Sequence, residues 1–347
     1  MIRNDTNLLP GVPLIESPFF SDHFSFEDTP AQIYQAACQL NRQGFAIIDF
    51  PEPNFDEISD KIKKDLIDIY DWDEWKRNGG GLRVQDAWKF SKEVYSLAVN
   101  AKIIEIISQI YGRKAFPFQT LNFPVGTEQP FHSDSVHFSS IPERFMCGVW
   151  VALEDISVNA GPVLYYPGSH KFPIYVNEHI GHTHVPGTKS SQTVFEPMWR
   201  KLVASNNLNP ERLLIRKGQA LIWAANLLHG GDRHRDQNLT RWSQVTHYYF
   251  EGCSYYTPME SDPALGNIYF RTPSNILEGD DVKNVYNGQF VPEEYIQSVS
   301  PTADNLLPSN FDANLYLVAN PDVAAAGIDP AQHYLVHGKK EGRAIRP

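Results

Sequence analysis

The pattern of the chain changes at Phe116, and that change limits the fold more than any other feature. Beyond it, apolar residues come in short runs at 118–123, 146–153, 161–166, 213–216, 220–228 and 242–250, separated by loops that carry Pro, Gly or Asn. Runs this short, punctuated by turn formers, predict strands. Several in succession suggest a β-sandwich or jelly roll. Ahead of them the spacing is helical. Ile33, Ala36, Ala37 and Leu40 share a face over 30–42, and Gly44 stops that helix. Ile58, Ile62, Leu66 and Ile67 share a face over 56–70, and 91–111 reads as one further helix closed by Gly112. A run at 45–50 predicts a buried strand, and Gly79-Gly80-Gly81 a turn. Helices first and strands afterwards fit a mainly β protein with helices packed outside a β-core.

Two segments stand apart. The stretch 170–212 is long and weakly patterned, which predicts an insert or lid. Past the polar stretch 298–310, Asp312, Asn320-Pro321 and Asp329-Pro330 give helix-start signals, and Gly327 and Gly338 give stops. The expected division is a main domain over 1–300, with its β-core at about 116–250, and a small helical appendage over 308–347.

A formal charge of −11 argues against a nucleic-acid partner, which needs a basic footprint. Cys38, Cys147 and Cys253 are far apart and in no CxxC pattern, so neither a disulfide framework nor a thiolate zinc site is expected. The start of the chain lacks the apolar stretch of a signal peptide, and no run is long enough to span a membrane. A cytoplasmic protein acting on a small molecule is the expectation.

The chemistry lies in two short motifs. Phe131-His132-Ser133-Asp134-Ser135 puts an imidazole and a carboxylate two residues apart, and on a strand both would point to one face. Roughly a hundred residues later, the apolar run 219–228 delivers His229 just before Gly230-Gly231. Two histidines and one carboxylate on one face of an octahedral ion leave three positions open, the logic of the non-haem Fe(II) facial triad. Those positions suit a bidentate 2-oxo acid and then O2. Arg241-Trp242-Ser243 opens the next strand, where a guanidinium fork and a hydroxyl on the same side would suit the far carboxylate of a 2-oxo diacid. Arg233 and Arg235, inside the preceding turn, are placed less well for that task.

With these motifs in view, the sequence resembles the phytanoyl-CoA dioxygenase family of Fe(II)/2-oxoglutarate oxygenases. The resemblance runs over roughly 32–250. It rests on His-x-Asp at 132–134, on Asn159-Ala160-Gly161-Pro162 leading into Tyr166-Pro167-Gly168-Ser169-His170-Lys171, on the strand ending in His229-Gly230, and on Arg-x-Ser at 241–243. It implies a double-stranded β-helix (a cupin-like jelly roll) with His132, Asp134 and His229 as iron ligands and Arg241 as the anchor of 2-oxoglutarate. By the same resemblance, Asn122 matches a polar residue that helps hold the co-substrate. Halogenases of this family carry a small residue in place of the carboxylate, so Asp134 argues against halogenation.

The expected reaction is hydroxylation of an unactivated C–H bond of a small metabolite, with release of succinate and CO2. Desaturation, cyclisation or epimerisation by the same oxidant is the alternative within enzymes. A cupin-like protein that binds a metal or ligand without turnover is the alternative outside them. His137 and Trp150 are candidates to meet substrate. His170 reads as a residue pinning a turn, and His179, His182 and His184 as no second metal site, since no strand fixes them. The appendage carries a Tyr316-Leu317, Asn320-Pro321-Asp322-Val323, Glu341-Gly342-Arg343 pattern and no evident catalytic group, which suggests docking or oligomerisation.

Overall fold

The computed structural model describes residues 7–184, 191–300, 307–308 and 311–347. Parts of the expected lid and most of the polar stretch before the appendage lie outside those residues. Helix α1 (Ala31–Gln43) buries Ile33, Ala36, Ala37 and Leu40 and ends at Gly44, whose φ of 85° is the left-handed cap that glycine adopts without cost. Strand β1 (Phe45–Asp49) follows at once. Helix α2 (Phe55–Leu66) comes next, but Ile67 begins a separate 3-10 turn and stays exposed, so it does not share the buried face of Ile62 and Leu66.

The expected single helix over 91–111 is two, α3 (Lys92–Ala98) and α4 (Ala101–Tyr111). Asn100 separates them: its side-chain oxygen accepts from the backbone N–H groups of Lys102 and Ile103, which starts a new helix. The first buries Val94, Leu97 and Ala98 and the second Ile103, Ile106, Ile107 and Ile110, two sets that one unbroken helix would place on opposite faces.

Six antiparallel strands form the main sheet in the order β1-β7-β4-β9-β3-β2. Beyond β1 these are β2 (Val84–Gln85), β3 (Ala115–Phe123), β4 (Met146–Ala152), β7 (Gln219–Ala224) and β9 (Ser243–Phe250). A smaller three-stranded sheet has β5 (Val163–Tyr165) between β6 (Glu211–Arg212) and β8 (His229–Gly231). The run at 213–216 is thus not the strand; the pairing lies just before it, although Leu213 N–H still bonds the Val163 carbonyl.

Alternation along the strands sorts the core into two clusters. Ala46, Ile48, Cys147, Val149, Val151, Ala220, Ile222 and Tyr248 face the helices and pack with Leu40, Ile62, Leu97 and Ile107. Their neighbours Phe45, Trp150, Ala152, Leu221, Trp223 and Val245 face the small sheet and pack with Val163 and Tyr165. The two sheets therefore enclose one interior, and helices cover the outside of the larger. Hydrogen bonds fix that cover: Ser59 Oγ donates to the Leu153 carbonyl, Tyr248 Oη to that of Ala98, and Gln244 Nε2 to that of Val94.

The segment expected as a loose insert is partly core. Helix α5 (Glu196–Ser205) packs Trp199 and Val203, with Phe195, against Val136, Tyr166 and Leu228. A last cluster, Tyr316, Val323 and Tyr334 with Leu307, Phe311, Leu317, Leu335 and Ile345 around it, draws every member from 307–345. No helix among the described residues is long and apolar enough to cross a membrane.

Candidate metal centre

His132 and His229 lie directly opposite each other in a β-bridge, each N–H bonding the other's carbonyl at 2.8 and 3.0 Å. Opposed residues of an antiparallel pair share a face, and the two rings stand with centroids 4.6 Å apart. The approach is close. A Cβ at Gly230 would lie 2.7 Å from the Gln129 carbonyl oxygen, and one at Gly231 2.8 Å from Glu128 N, so only glycine after His229 lets the bridge form.

Asp134 reaches the pair differently from the expected strand pleat. It opens a 3-10 turn, Asp134–Val136, whose cap is the Ser133 hydroxyl accepting from Ser135 N–H. Ser133 Oγ also donates to Asn226 Oδ1, tying this turn to the loop that leads to His229. One ligating atom from each of His132, Asp134 and His229 falls within 4.8 Å of the others, and this is the one such group of three among the described residues. His179, His182 and His184 form none; His179 Nδ1 instead accepts from Val176 N–H.

Each donor atom is prepared for a cation. His132 Nδ1 bonds the Pro130 carbonyl and His229 Nδ1 that of Leu227, which assigns the proton to Nδ1 and turns the Nε2 lone pair towards Asp134. Those Nε2 atoms lie 3.6 and 3.8 Å from Asp134 Oδ1. The other oxygen, Oδ2, accepts from Trp223 Nε1 at 2.8 Å and lies 3.9 Å from His247 Nε2. Burial holds the His229 imidazole below its usual range, the neutral form that a metal requires. Burial alone would raise the Asp134 carboxyl, but His229, His132 and His247 outweigh it and keep the group ionised far below the usual range.

Farther along the interior lies a second set of prepared groups. Arg241 is 2% exposed, and its guanidinium lies 5.4 Å over the Trp150 ring. Nη2 donates to the Val125 carbonyl, while Nε has no partner. No carboxylate among the described residues pairs with it, and burial pushes it down to about 10 although Glu154 acts to raise it. Ser243, fully buried and on the inward face with Val245, also has an unpartnered hydroxyl. Two orphaned polar groups side by side in a dry interior mark a place made for something that can bond them.

The remaining expected residues fall as follows. Asn122 stands opposite Gln244 in the ladder and donates to its Oε1, on the face that Gln244 ties to α3. Its Oδ1 is buried without a partner, on the side of the sheet that it shares with Gln244. Trp150 lies beneath Arg241 and supports the guanidinium. His137 sits by the centre, its ring 5.9 Å from that of His132 and its Nε2 bonded to Gln192 Oε1, and burial holds it down at about 4. His170 pins a turn, with Nε2 on the Asn41 carbonyl. Sequence reasoning missed Trp223, His247 and Gln192. The first two were within reach: Trp223 shares the face of Leu221, and His247 that of Ser243.

A profile of the phytanoyl-CoA dioxygenase family matches residues 46–241. The peroxisomal phytanoyl-CoA dioxygenase of Rattus norvegicus is 22% identical over 189 residues, half of each chain, so this chain spans about half the length of that curated relative. Among solved structures, the non-haem α-ketoglutarate-dependent epimerase SnoN of nogalamycin biosynthesis superposes with a TM-score of 0.52 at 17% identity, covering 77% of this chain and 98% of that one. The carbocyclase SnoK of the same biosynthesis superposes with a TM-score of 0.50 at 15% identity, covering 74% and 95%. These two likenesses establish a shared fold.

Proposed function

The chain belongs to the phytanoyl-CoA dioxygenase family, and from that premise we propose that it is an Fe(II)- and 2-oxoglutarate-dependent oxygenase. We read its two sheets as the walls of a double-stranded β-helix, with His132, Asp134 and His229 as iron ligands and Arg241 and Ser243 as the grip on the co-substrate's far carboxylate. The observation that carries this reading is the pairing of the two sites. A facial set of two imidazoles and a carboxylate shares one interior with a buried, uncompensated guanidinium. A protein that merely held a metal would gain nothing from the second.

The chain's own part is binding, orientation and the exclusion of water. Nδ1–H bonds to Pro130 and Leu227 aim the Nε2 atoms, and Trp223 fixes the carboxylate so that Oδ1 faces them. Arg241 and Ser243 take a diacid by one end and so point its keto-acid end towards the centre. Phe123, Trp150, Leu221 and Val245 keep that space dry, which strengthens each polar contact in it. When bound, the iron and its co-substrate supply the oxidation of a C–H bond by O2, with succinate and CO2 released.

We propose hydroxylation of a small metabolite as the reaction. Product mass separates it from desaturation, cyclisation and epimerisation, since only hydroxylation adds an oxygen atom. Residues 1–300 are proposed as the oxygenase domain, with 116–250 as its β-core, and 308–347 as a unit with its own small core and a docking or self-associating role. The three thiols are free, in keeping with a cytoplasmic setting.

Anaerobic titration tests the central reading. Fe(II) and 2-oxoglutarate together should give a weak visible charge-transfer band that neither gives alone. A protein that binds iron yet shows no band and releases no succinate in air is not this oxygenase.

A further inference from the structure

The inward face of β9 orders the interior. Ser243, Val245, His247 and Tyr249 alternate along it, and Ser243 with Arg241 occupies one end. His247 stands level with the metal centre, 3.9 Å from Asp134 Oδ2. At about 3.4 Å per residue, Tyr249 lies about 20 Å from Ser243 along the strand, on the far side of that centre. A five-carbon diacid gripped by Arg241 does not reach it. The far side is thus the part of the interior that the co-substrate leaves free for other contacts.

An aromatic wall stands there with one cation at its rim. Phe118 stacks on Tyr249 at 4.1 Å, Phe138 meets Phe118 edge-on at 5.5 Å, and Phe138 lies 5.2 Å from the His247 ring. The guanidinium of Arg271 sits 4.9 Å over Phe138. Its backbone is held from both sides, its N–H by the Tyr255 carbonyl and its own carbonyl by Asn284 Nδ2. Nη1 donates to Thr257 Oγ1 at 3.2 Å, but Nε is buried without a partner, and so is the hydroxyl of Tyr249. No carboxylate among the described residues forms an ion pair with Arg271; Glu260 feels its charge without reaching it. In a chain with 41 acidic residues against 30 basic ones, an arginine with no acidic partner beside a reaction centre is not explained by surface pairing.

We propose that Arg271 is a specificity-determining residue that receives an anionic group, carboxylate or phosphate, of the organic substrate, whose body lies against Phe138 beside the metal centre. The inference rests on the oxygenase reading above and deepens it by naming the substrate class. A guanidinium fork takes either oxyanion through parallel N–H bonds, and the low dielectric of the aromatic wall strengthens both.

The test is succinate release by the enzyme with Fe(II) and 2-oxoglutarate. The probes are carboxylates and phosphate monoesters, each beside its neutral methyl ester or alcohol. Stimulation by anionic members, with neutral mates weaker by about tenfold or more in kcat/KM, is the expected result. Which of the two oxyanions stimulates identifies the group. Arg271→Gln should erase that preference by raising KM for the anion about tenfold or more with kcat changed far less, while Arg271→Lys keeps part of it. Neutral mates that serve as well as the anions, a panel with no active anion, or an anion preference that survives in Arg271→Gln would each overturn the proposal. The comparison of each anion with its neutral mate uses the unaltered protein, so it stands even if a variant folds poorly. The charge-transfer band of that protein, recorded before any probe is added, reports on the oxygenase reading separately.

Discussion

Trp223 donates its indole N–H to Asp134 Oδ2 at 2.8 Å, and both side chains are buried. The bond divides the labour of one carboxylate: Oδ2 is held by the sheet, and Oδ1 is left facing two imidazole nitrogens. Partners of this kind orient a metal ligand and raise its worth as a donor. Trp223→Phe keeps an aromatic ring, smaller than the indole, and removes the donor. It should weaken Fe(II) or Co(II) binding by about 10–100-fold, beside a modest fall in melting temperature from the lost packing. Spectroscopic titration with Co(II) measures the first, and a thermal melt the second.

Gly148 makes room for that indole. A Cβ there would overlap the Trp223 ring, because the two residues are opposed across β4 and β7 and both point inward. Gly148→Ala forces the ring or the strand to move, at a cost of about 1–3 kcal/mol. Because the displaced ring is the one that holds Asp134, both stability and metal affinity should drop. Alanine at Gly181, where an added Cβ meets nothing within 4 Å, should leave metal affinity unchanged although its φ of 67° costs some stability. Chemical unfolding and Co(II) titration of the two variants decide it.

Asp232, just past β8, gives the protein a defined acid sensitivity. Burial acts to raise its carboxyl, yet hydrogen bonds from Arg235, Arg212 and the Arg233 N–H prevail and hold it at about 2, against 3.8 for an unperturbed group. A carboxyl depressed in the folded state stabilises fully above its unfolded value and loses that contribution as pH falls through the folded one. The window is therefore about pH 4 down to 2. The two arginine side chains are 46% and 37% exposed, so solvent screening trims the contribution to about 1–2 kcal/mol. Asp232→Asn should be less stable near pH 6 by about that amount, and the gap to the unaltered protein should close by pH 2. Urea unfolding across that range measures it.

Much of this was legible from pattern alone, because the periods of helix and strand are set by which residues must leave water. The buried face of α1, its glycine stop and most strands of the large sheet follow from that rule. His229 departs from it: the strand expected to deliver it stops at Ala224, and His229 opens β8 in the smaller sheet. What pattern could not supply was partnership. Asn122 lies between Leu121 and Phe123, and nothing in those neighbours says which way the amide points until β3 pairs with β9. Asp134 reaches the histidines from a turn because Ser133 caps it, a bond that spacing does not encode. Phe195 and Trp199 lie in a stretch with little periodicity, yet they pack behind Val136 and Leu228, neighbours of two candidate ligands. The motifs named the chemistry; the register chose which polar residues face it.

Arg241 is where the co-substrate assignment is most exposed to test. Its guanidinium is buried over Trp150 with no carboxylate partner among the described residues, so the folded chain keeps a desolvated charge that only a bound anion relieves. Removing one member of a buried ion pair costs about 3–5 kcal/mol, which corresponds to roughly a hundredfold or more in binding. Arg241→Met should therefore raise KM for 2-oxoglutarate by about 10²–10³ and leave metal binding nearly as it was. Because the empty pocket of the unaltered protein carries the desolvation cost, the variant should also melt at the same or a higher temperature in the absence of 2-oxoglutarate. Adding millimolar 2-oxoglutarate should then stabilise the unaltered protein alone. If both proteins were stabilised equally, the co-substrate would sit somewhere other than beside Arg241.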